Sequence, residues 1–412
     1  MLNRTESNLL FKRANVVIPT GIYGHVAPGA GLPQDFPHYC MSGEGCHFTD
    51  IDGNTWLDFM CGFGTILHGY RNPFIEEAVV LQQERGSVFN QPSSLMVELA
   101  EKLVHEIDFA DWAVFAKNGS DLTTWAIRVA REQTGREYVI KAKGAYHGVD
   151  AWCDPGLGGR ISSDRSHILE FNWNDFDQLE SLFNSHTDKI AAVILTPYHH
   201  PSFAPSVLPA ESFWAKVEDL CQKNGSALVL DDVRCGWRLH DEGSHKYFNF
   251  TPDIAIYSKA LGNGYSISSC VGTNQFRSGA SEVFLTGSCW NDAYSMAAAI
   301  ASLQLCKDNK AASSVMSKGK LFCDQLESIS HKFGVPLKMT GLPSMPYPWI
   351  EGDEDLYQIQ SLCKLAAKKG LYFHPHHNWF ISDAMTEKEI NLSLSLSEKV
   401  IEEHAAVFAT HN

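Results

Sequence analysis

Two residues 28 positions apart, Asp231 and Lys259, each close an apolar run of strand length. The stretch "SALVLDD" (226–232) ends in paired carboxylates. The stretch "PDIAIYSKALGNGY" (252–265) runs into a lysine, then into Gly262, Asn263 and Gly264, a turn too rich in glycine to continue a strand or a helix. A strand-end amine can attack a carbonyl, and a strand-end carboxylate can hold a cationic ring nitrogen. A third stretch, "FAKNGSDLTTWAIRVAREQTGR" (115–136), opens a helix with Gly119, Ser120 and Asp121 in its first turn. Free amides and the helix dipole favour an anion there, and Ser120 adds a hydroxyl. Taken singly, each feature has an ordinary explanation: a solvated strand end for Asp231 and Asp232, a helix cap for Asp121. Taken together, an anion nest, an acid and an amine meet the needs of pyridoxal 5′-phosphate, whose phosphate, pyridine nitrogen and aldehyde each require one of them.

The elements that must hold these groups alternate. "KIAAVILTP" (189–197) reads as a buried strand. "SFWAKVEDLCQKNG" (212–225) sets Phe213, Trp214, Val217, Leu220 and Cys221 on one helical face and stops at Gly225. Strands separated by helices predict an α/β fold with a mainly parallel sheet. At 412 residues the chain exceeds one ordinary core. The expected division is an N-terminal segment (1–60) packing with a small α+β domain (306–412), and a large cofactor-binding domain between them (61–305). Lysine and arginine number 33 against 48 acidic residues, a net charge of −15 that gives no support to nucleic-acid binding. The opening "MLNRTESNLLFKRANVV" lacks the apolar core of a signal peptide, and no stretch is long enough to span a bilayer. A cytoplasmic address with no membrane association is therefore expected. Eleven cysteines are scattered without a CxxC pair, so free thiols are expected rather than disulfides. The histidine clusters at 198–200 and 374–378 lack acidic residues at ligand spacing, so no metal is expected.

In order and spacing, "KNGSDLTTWAIRVAREQTGR", "AYHG", "LVLDDVRCGWR", "PDIAIYSKALGNG" and "LTGSCWNDAYSMAAA" resemble the motifs of class III pyridoxal-phosphate aminotransferases, in the branch of glutamate-1-semialdehyde aminomutase. The early segment "GCHFTDIDGNTWLDFMCGFGTILHGYRNP" is similar to the same family, so the likeness runs over about residues 15–400. It implies a fold-type-I transferase with a seven-stranded sheet, assembled as a homodimer with active sites at the subunit interface. It also implies a role for each matching residue. Lys259 corresponds to the lysine that bonds to the cofactor aldehyde and then moves a proton as base and acid. Asp231 corresponds to the partner of the pyridine nitrogen, and Tyr146 to the aromatic residue stacked on the ring. Gly119 and Ser120 correspond to the phosphate loop. Ser288 stands where the family has a threonine that reaches the phosphate of the other subunit, and it keeps the hydroxyl.

Departures from the family bear on substrate. Where the aminomutase carries a carboxylate-binding arginine this chain has Ala27, with His25 nearby, and there is no arginine after Arg277. Lysine is a poorer bidentate grip, so glutamate-1-semialdehyde is not the expected substrate. His377 takes the place of a glutamate. With His25, Phe63 and His199 it forms the expected substrate pocket, although for any one of these histidines a packing or surface role is the better reading. Such a pocket would suit a hydroxylated, sugar-like ketone. The resemblance thus implies an aminotransferase working between an amino donor and a carbonyl acceptor. An isomerase on the same scaffold, an aminomutase or a racemase, and a binding protein without turnover are the alternatives.

Overall fold

Short runs of branched aliphatic residues build the central sheet of the chain. The computed structural model describes residues 2–24, 32–33, 36–156, 158–201 and 203–408, with side chains in the last helix to residue 406. Two compact units emerge. One comprises residues 73–202 and 206–313, the other residues 1–72, 203–205 and 314–412. The unit boundaries fall at Asn72/Pro73 and Ser313/Ser314, against 60/61 and 305/306 expected from sequence. A physical reason is visible at the first of them. Phe380 N donates to Phe59 O (2.7 Å), Asp383 N to Leu67 O (2.7 Å), and Tyr70 N to Gly45 O (2.7 Å), which ties the segment beyond residue 60 to its own unit.

The larger unit contains seven strands: β1 (Trp112–Ala116), β2 (Tyr138–Ala142), β3 (Ile168–Phe171), β4 (Ile190–Leu195), β5 (Ala227–Asp231), β6 (Ile254–Tyr257) and β7 (Ser268–Gly272). Their order across the sheet is β1-β7-β6-β5-β4-β2-β3. Only β7 runs against the rest, antiparallel to β1 and to β6. Every residue of β4, β5 and β6 is buried, which is why these segments read as unbroken apolar runs rather than alternating ones. The helices α1 (Gly119–Thr134) and α2 (Phe213–Asn224) bury the faces that their spacing predicts. In α1 these residues are Leu122, Trp125, Ala126, Val129 and Ala130, and they join the sheet in one apolar core. Gly225 ends α2 in a left-handed cap, φ 60°. Among the described residues, no helix is long and apolar enough to cross a membrane.

The smaller unit has a four-stranded sheet of Cys40–Glu44, His47–Asp50, Thr55–Asp58 and Leu371–Tyr372, the last parallel to its neighbour. It also holds the hairpin Leu337–Thr340 with Tyr347–Ile350.

Because six of the seven strands share one direction, the carboxyl ends of β1, β2, β4, β5 and β6 all reach the same edge of the sheet. Open α/β sheets bind ligands at that edge. Helix α1 braces the loop that follows β2 there: Thr123 Oγ1 donates to His147 O (2.6 Å), Ser120 Oγ accepts from Val149 N (3.0 Å), and Thr124 bonds Asp150 and Trp152. Thr123 is almost wholly buried, so Thr123→Val leaves the His147 carbonyl without its partner. We expect a loss of about 1–3 kcal/mol of stability in urea denaturation. An unchanged midpoint and slope would show that the brace contributes nothing.

Candidate active site

Lys259 lies two residues beyond β6 and opens a single 3-10 turn, Lys259–Leu261, closed by Gly262 N on Lys259 O (3.1 Å). Its φ is +49°, a left-handed conformation costing a non-glycine residue roughly 1–2 kcal/mol. Such strain persists only where the surroundings fix it. Here Ser258 Oγ donates to Ile267 O (2.9 Å) and Leu261 N to Ser258 O (3.0 Å). The Lys259 amine has neither a hydrogen bond nor an ion pair among the described residues. Burial, and next the positive charge of Arg234, push its pKa down to about 7, while the Asp231 carboxylate pulls it upward.

Asp231 ends β5, the strand beside β6, with Ile256 as its partner in register. It is 5% exposed. One carboxylate oxygen is 2.7 Å from His147 Nδ1, and the other accepts from Val233 N (3.2 Å). An ionised carboxylate only accepts, so Nδ1 carries the proton of that bond. The imidazole is buried, stacks against Trp152 (6.2 Å between centroids, 9° between planes), and leaves its Nε2 unpartnered. The adjacent Asp232 faces away from this chemistry. Ser244 N (2.8 Å) and Ser244 Oγ (2.5 Å) donate to it, and burial raises its pKa to about 7.

Tyr146 precedes His147, is 41% exposed, and has its hydroxyl pKa raised by burial first and then by the negative charges around it, Asp231 among them. Gly119 and Ser120 open α1, whose first amides have no acceptor within the helix. Asn118 N donates to Asp121 Oδ2 (2.9 Å), so Asp121 is a helix cap. Close approach dictates two glycines here. A Cβ on Gly119 would stand 2.7 Å from Val233, two residues past Asp231, and one on Gly148 would stand 2.3 Å from Ser120 Oγ. The anion nest, the carboxylate and the loop bearing Tyr146 are thus pressed together.

The remaining expected residues lie elsewhere. His199 is buried in the larger unit, stacked on Trp173 (5.6 Å, 14°). Burial, then the charges of His147 and Lys141, lower its pKa to about 4, so it stays neutral. Ser288 stands on an exposed turn of the same unit. Phe63 and His377 meet in the smaller unit with rings 5.3 Å apart and 88° between planes, and His374 lies 6.1 Å from Phe63. Cys61, Gly62, Phe63 and Gly64, with φ of 50°, 57°, 59° and 83°, form a left-handed turn that presents the phenyl ring. His25 lies outside the described residues, as does Ala27.

Sequence reading missed His147, although it sits inside "AYHG"; a histidine two strands away from an acid gives no spacing signal. It also passed over Arg234. The arrangement fits pyridoxal phosphate: a partly buried amine with its pKa lowered to about 7, a buried carboxylate held by an imidazole, and a glycine-opened helix terminus. If the amine is as depressed as its surroundings dictate, reductive alkylation of apo protein by a small aldehyde should label Lys259 with a midpoint near pH 7, against 10.5 for an ordinary lysine. Peptide mass spectrometry reads this directly, and a midpoint near the ordinary value would contradict the proposed environment.

Comparison with known proteins gives the same direction. Residues 33–387 match the family "Aminotransferase class-III". The chain is 37% identical to an aminopentol aminotransferase of Sphingopyxis macrogoltabida over 97% of this chain and 94% of that one. It is 32% identical to a 3-aminobutyryl-CoA aminotransferase of Cloacimonas acidaminovorans, over 94% and 95%. A glutamate-1-semialdehyde 2,1-aminomutase of Syntrophobacter fumaroxidans is 27% identical, over 95% and 96%. The solved PLP form of the FumI protein of Sphingopyxis sp. MTA144 superposes with a TM-score of 0.96 at 36% identity, covering 98% of both chains. An omega-transaminase of Sphaerobacter thermophilus shares the fold, with a TM-score of 0.87 at 22% identity and 97% coverage of both. The chain, with its strand-end lysine and carboxylate on adjacent parallel strands, belongs to the class III aminotransferase family of pyridoxal-phosphate-dependent enzymes.

Proposed function

We propose that Lys259 is the residue that holds the cofactor and moves the proton, that Asp231 pairs with the pyridine nitrogen, and that the amine substrate is an amino polyol. The observation carrying this reading is the adjacency of the two strand ends, with Asp231 fixed by His147 at 2.7 Å. When bound, pyridoxal phosphate supplies an electron sink for negative charge at the carbon bearing the amine. The Asp231 carboxylate keeps the ring nitrogen protonated, because an adjacent negative charge raises the pKa of a cation. His147 holds that carboxylate in place. Tyr146 covers one face of the ring. Gly119 and Ser120 receive the phosphate; the Ser120 hydroxyl, whose oxygen already accepts from Val149 N, keeps its proton to donate. Lys259, its pKa lowered to about 7, can take the proton from the substrate carbon and return it one position away.

An aminopentol is, by its name, an amine carrying hydroxyl groups, and that relative is 37% identical. The lack of any arginine after Arg277 removes the usual C-terminal grip on a carboxylate. His374, His376 and His377 offer hydrogen-bonding rings beside Phe63 and Phe203, and burial lowers the pKa of His376. His25, Phe63, His199 and His377 remain the candidates for the substrate pocket. We further propose a homodimer in which Ser288 serves the partner's phosphate, and a reducing cytoplasmic setting. Eleven cysteines that form no disulfide among the described residues suit the latter.

Lys259→Ala should abolish turnover and the covalently bound chromophore, since it removes the amine proposed to bond to the cofactor. Asp231→Asn should cost several orders of magnitude in rate without unfolding, and near-normal activity would reassign the acid. Full conversion of the cofactor to its pyridoxamine form by an amino polyol, with release of one equivalent of ketone, tests the substrate. Incomplete conversion, with the substrate merely rearranged, would indicate an isomerase. Ser288→Ala should weaken cofactor binding by about one to two decades in an intact dimer, the worth of one hydrogen bond to a charged group. Wild-type affinity would remove Ser288 from the site.

A further inference from the structure

Asp232 is wholly buried on the residue after Asp231, and no role falls to it in the chemistry of Lys259. Its carboxyl group meets one residue. Ser244 N donates to Oδ2 (2.8 Å), and Ser244 Oγ lies 2.5 Å from Oδ1. Among the described residues no ion pair reaches it, and the one charge that bears on it is the like charge of Asp231. A carboxylate there carries the cost of desolvation without a cation to offset it. The titratable groups packed around it supply none. Tyr257, the last residue of β6, is buried with its hydroxyl unbonded, and the Cys235 thiol is buried and pushed well up by burial. His245 turns its Nε2 to Asp108 (3.0 Å), the same carboxylate that holds Lys246.

The surrounding backbone keeps this pair from rearranging. Ser244 opens the short helix Ser244–Phe248. The preceding Gly243 has a φ of 109°, and a Cβ on it would stand 2.6 Å from the Tyr257 hydroxyl oxygen and 3.1 Å from His245 Nδ1. On the other side, Asp232 N donates to Ile256 O (2.9 Å) and Gly236 N to Asp232 O (2.9 Å). Carboxyl and hydroxyl therefore stay face to face whatever the protonation state. The Ser244 amide can only donate, so Oδ2 is an acceptor throughout. The contact at Oδ1 serves both directions, a hydroxyl donating to a carboxylate or a protonated Oδ1 donating to the hydroxyl.

We propose that Asp232 is a pH-sensitive group built into the strand end, a neutral carboxylic acid donating to Ser244 Oγ below neutrality and a carboxylate accepting from it above. In the neutral form Asp231 is the only negative charge at the end of β5; in the ionised form two stand on consecutive residues. When the Oδ1 proton leaves for solvent, the Ser244 hydroxyl turns its own proton to Oδ1, so the bond is kept and its direction reverses. Neither form depends on the roles assigned to Lys259 and Asp231. Burial raises the carboxyl to about 7, the Ser244 bonds lower it, and Asp231 adds to the rise. The native chain thus holds a proton that the unfolded chain releases at the ordinary value of 3.8. The contribution of this group to stability falls as pH rises from there to about 7, and is level beyond.

The test compares the full-length protein with Asp232→Asn, which reproduces the neutral form: its carbonyl takes the Ser244 amide and its NH2 donates to the hydroxyl. Infrared spectra are recorded from about pH 5 to about pH 9, on both sides of neutrality. The difference between the two proteins should contain one protonated-carboxyl band that is lost with a midpoint near pH 7. The raised carboxyls of Asp58 and Asp253 are common to both and cancel. In urea, the advantage of Asp232→Asn over wild type should grow from about pH 4 to about pH 7 and then level. Should the amide not be accommodated, Ser244→Ala removes the hydroxyl that lowers the carboxyl pKa, and the midpoint of the band should rise by about one unit, the worth of one hydrogen bond to a charged group. No band lost on substitution of Asp232 overturns the assignment. So does a stability difference that is flat with pH, or a wild-type midpoint in Ser244→Ala.

Discussion

The hydrogen bond between His147 and Asp231 is the constraint on which the site depends. A carboxylate at the end of a fully buried strand is costly unless it is paired, and the imidazole behind it satisfies one of its oxygens. Two consequences meet there. The carboxylate stays available to a cationic ring nitrogen, and the loop after β2 is drawn across to the end of β5. Tyr146 is carried with that loop. The parallel direction of the strands makes the meeting possible, since it delivers β2, β5 and β6 to one edge. The hydroxyls of α1 then fix the loop in height.

Electrostatics at that edge are arranged asymmetrically. Asp232, one residue from Asp231, is turned to Ser244 and raised to about 7, so the pair does not act as two equal charges. Lys259 is depressed to about the same value by burial and by Arg234. Neighbouring groups of opposite type therefore titrate in the same range, which leaves the amine able both to give and to take a proton near neutrality.

The buried strands were legible because parallel central strands are apolar throughout, and Lys259 and Asp231 were legible because a charge at the end of such a run breaks its pattern. Helix α1 announced its start through Gly119 and its burial through spacing. His147 was not legible: its role depends on a contact 84 residues away, across strands, and nothing local marks it. The left-handed turn at Cys61–Gly64 was equally silent, because Cys61 and Phe63 have no intrinsic preference for positive φ. That conformation is imposed by neighbours, including Phe380, whose carbonyl accepts from Cys61 Sγ (3.5 Å). The unit boundaries slipped by about ten residues for a related reason, since the bonds to Phe59, Leu67 and Tyr70 join segments far apart in the chain.

The hydroxyl brace between α1 and the loop after β2 has an implication for how the protein opens. Ser120, Thr123 and Thr124 bond Val149, His147 and Asp150 in turn, so the helix terminus and the loop cannot separate one bond at a time without leaving buried polar groups exposed to each other. They form a single cooperative unit of local unfolding, whose amides exchange with solvent together. Whatever stabilises the first turn of α1 therefore also protects backbone some thirty residues downstream.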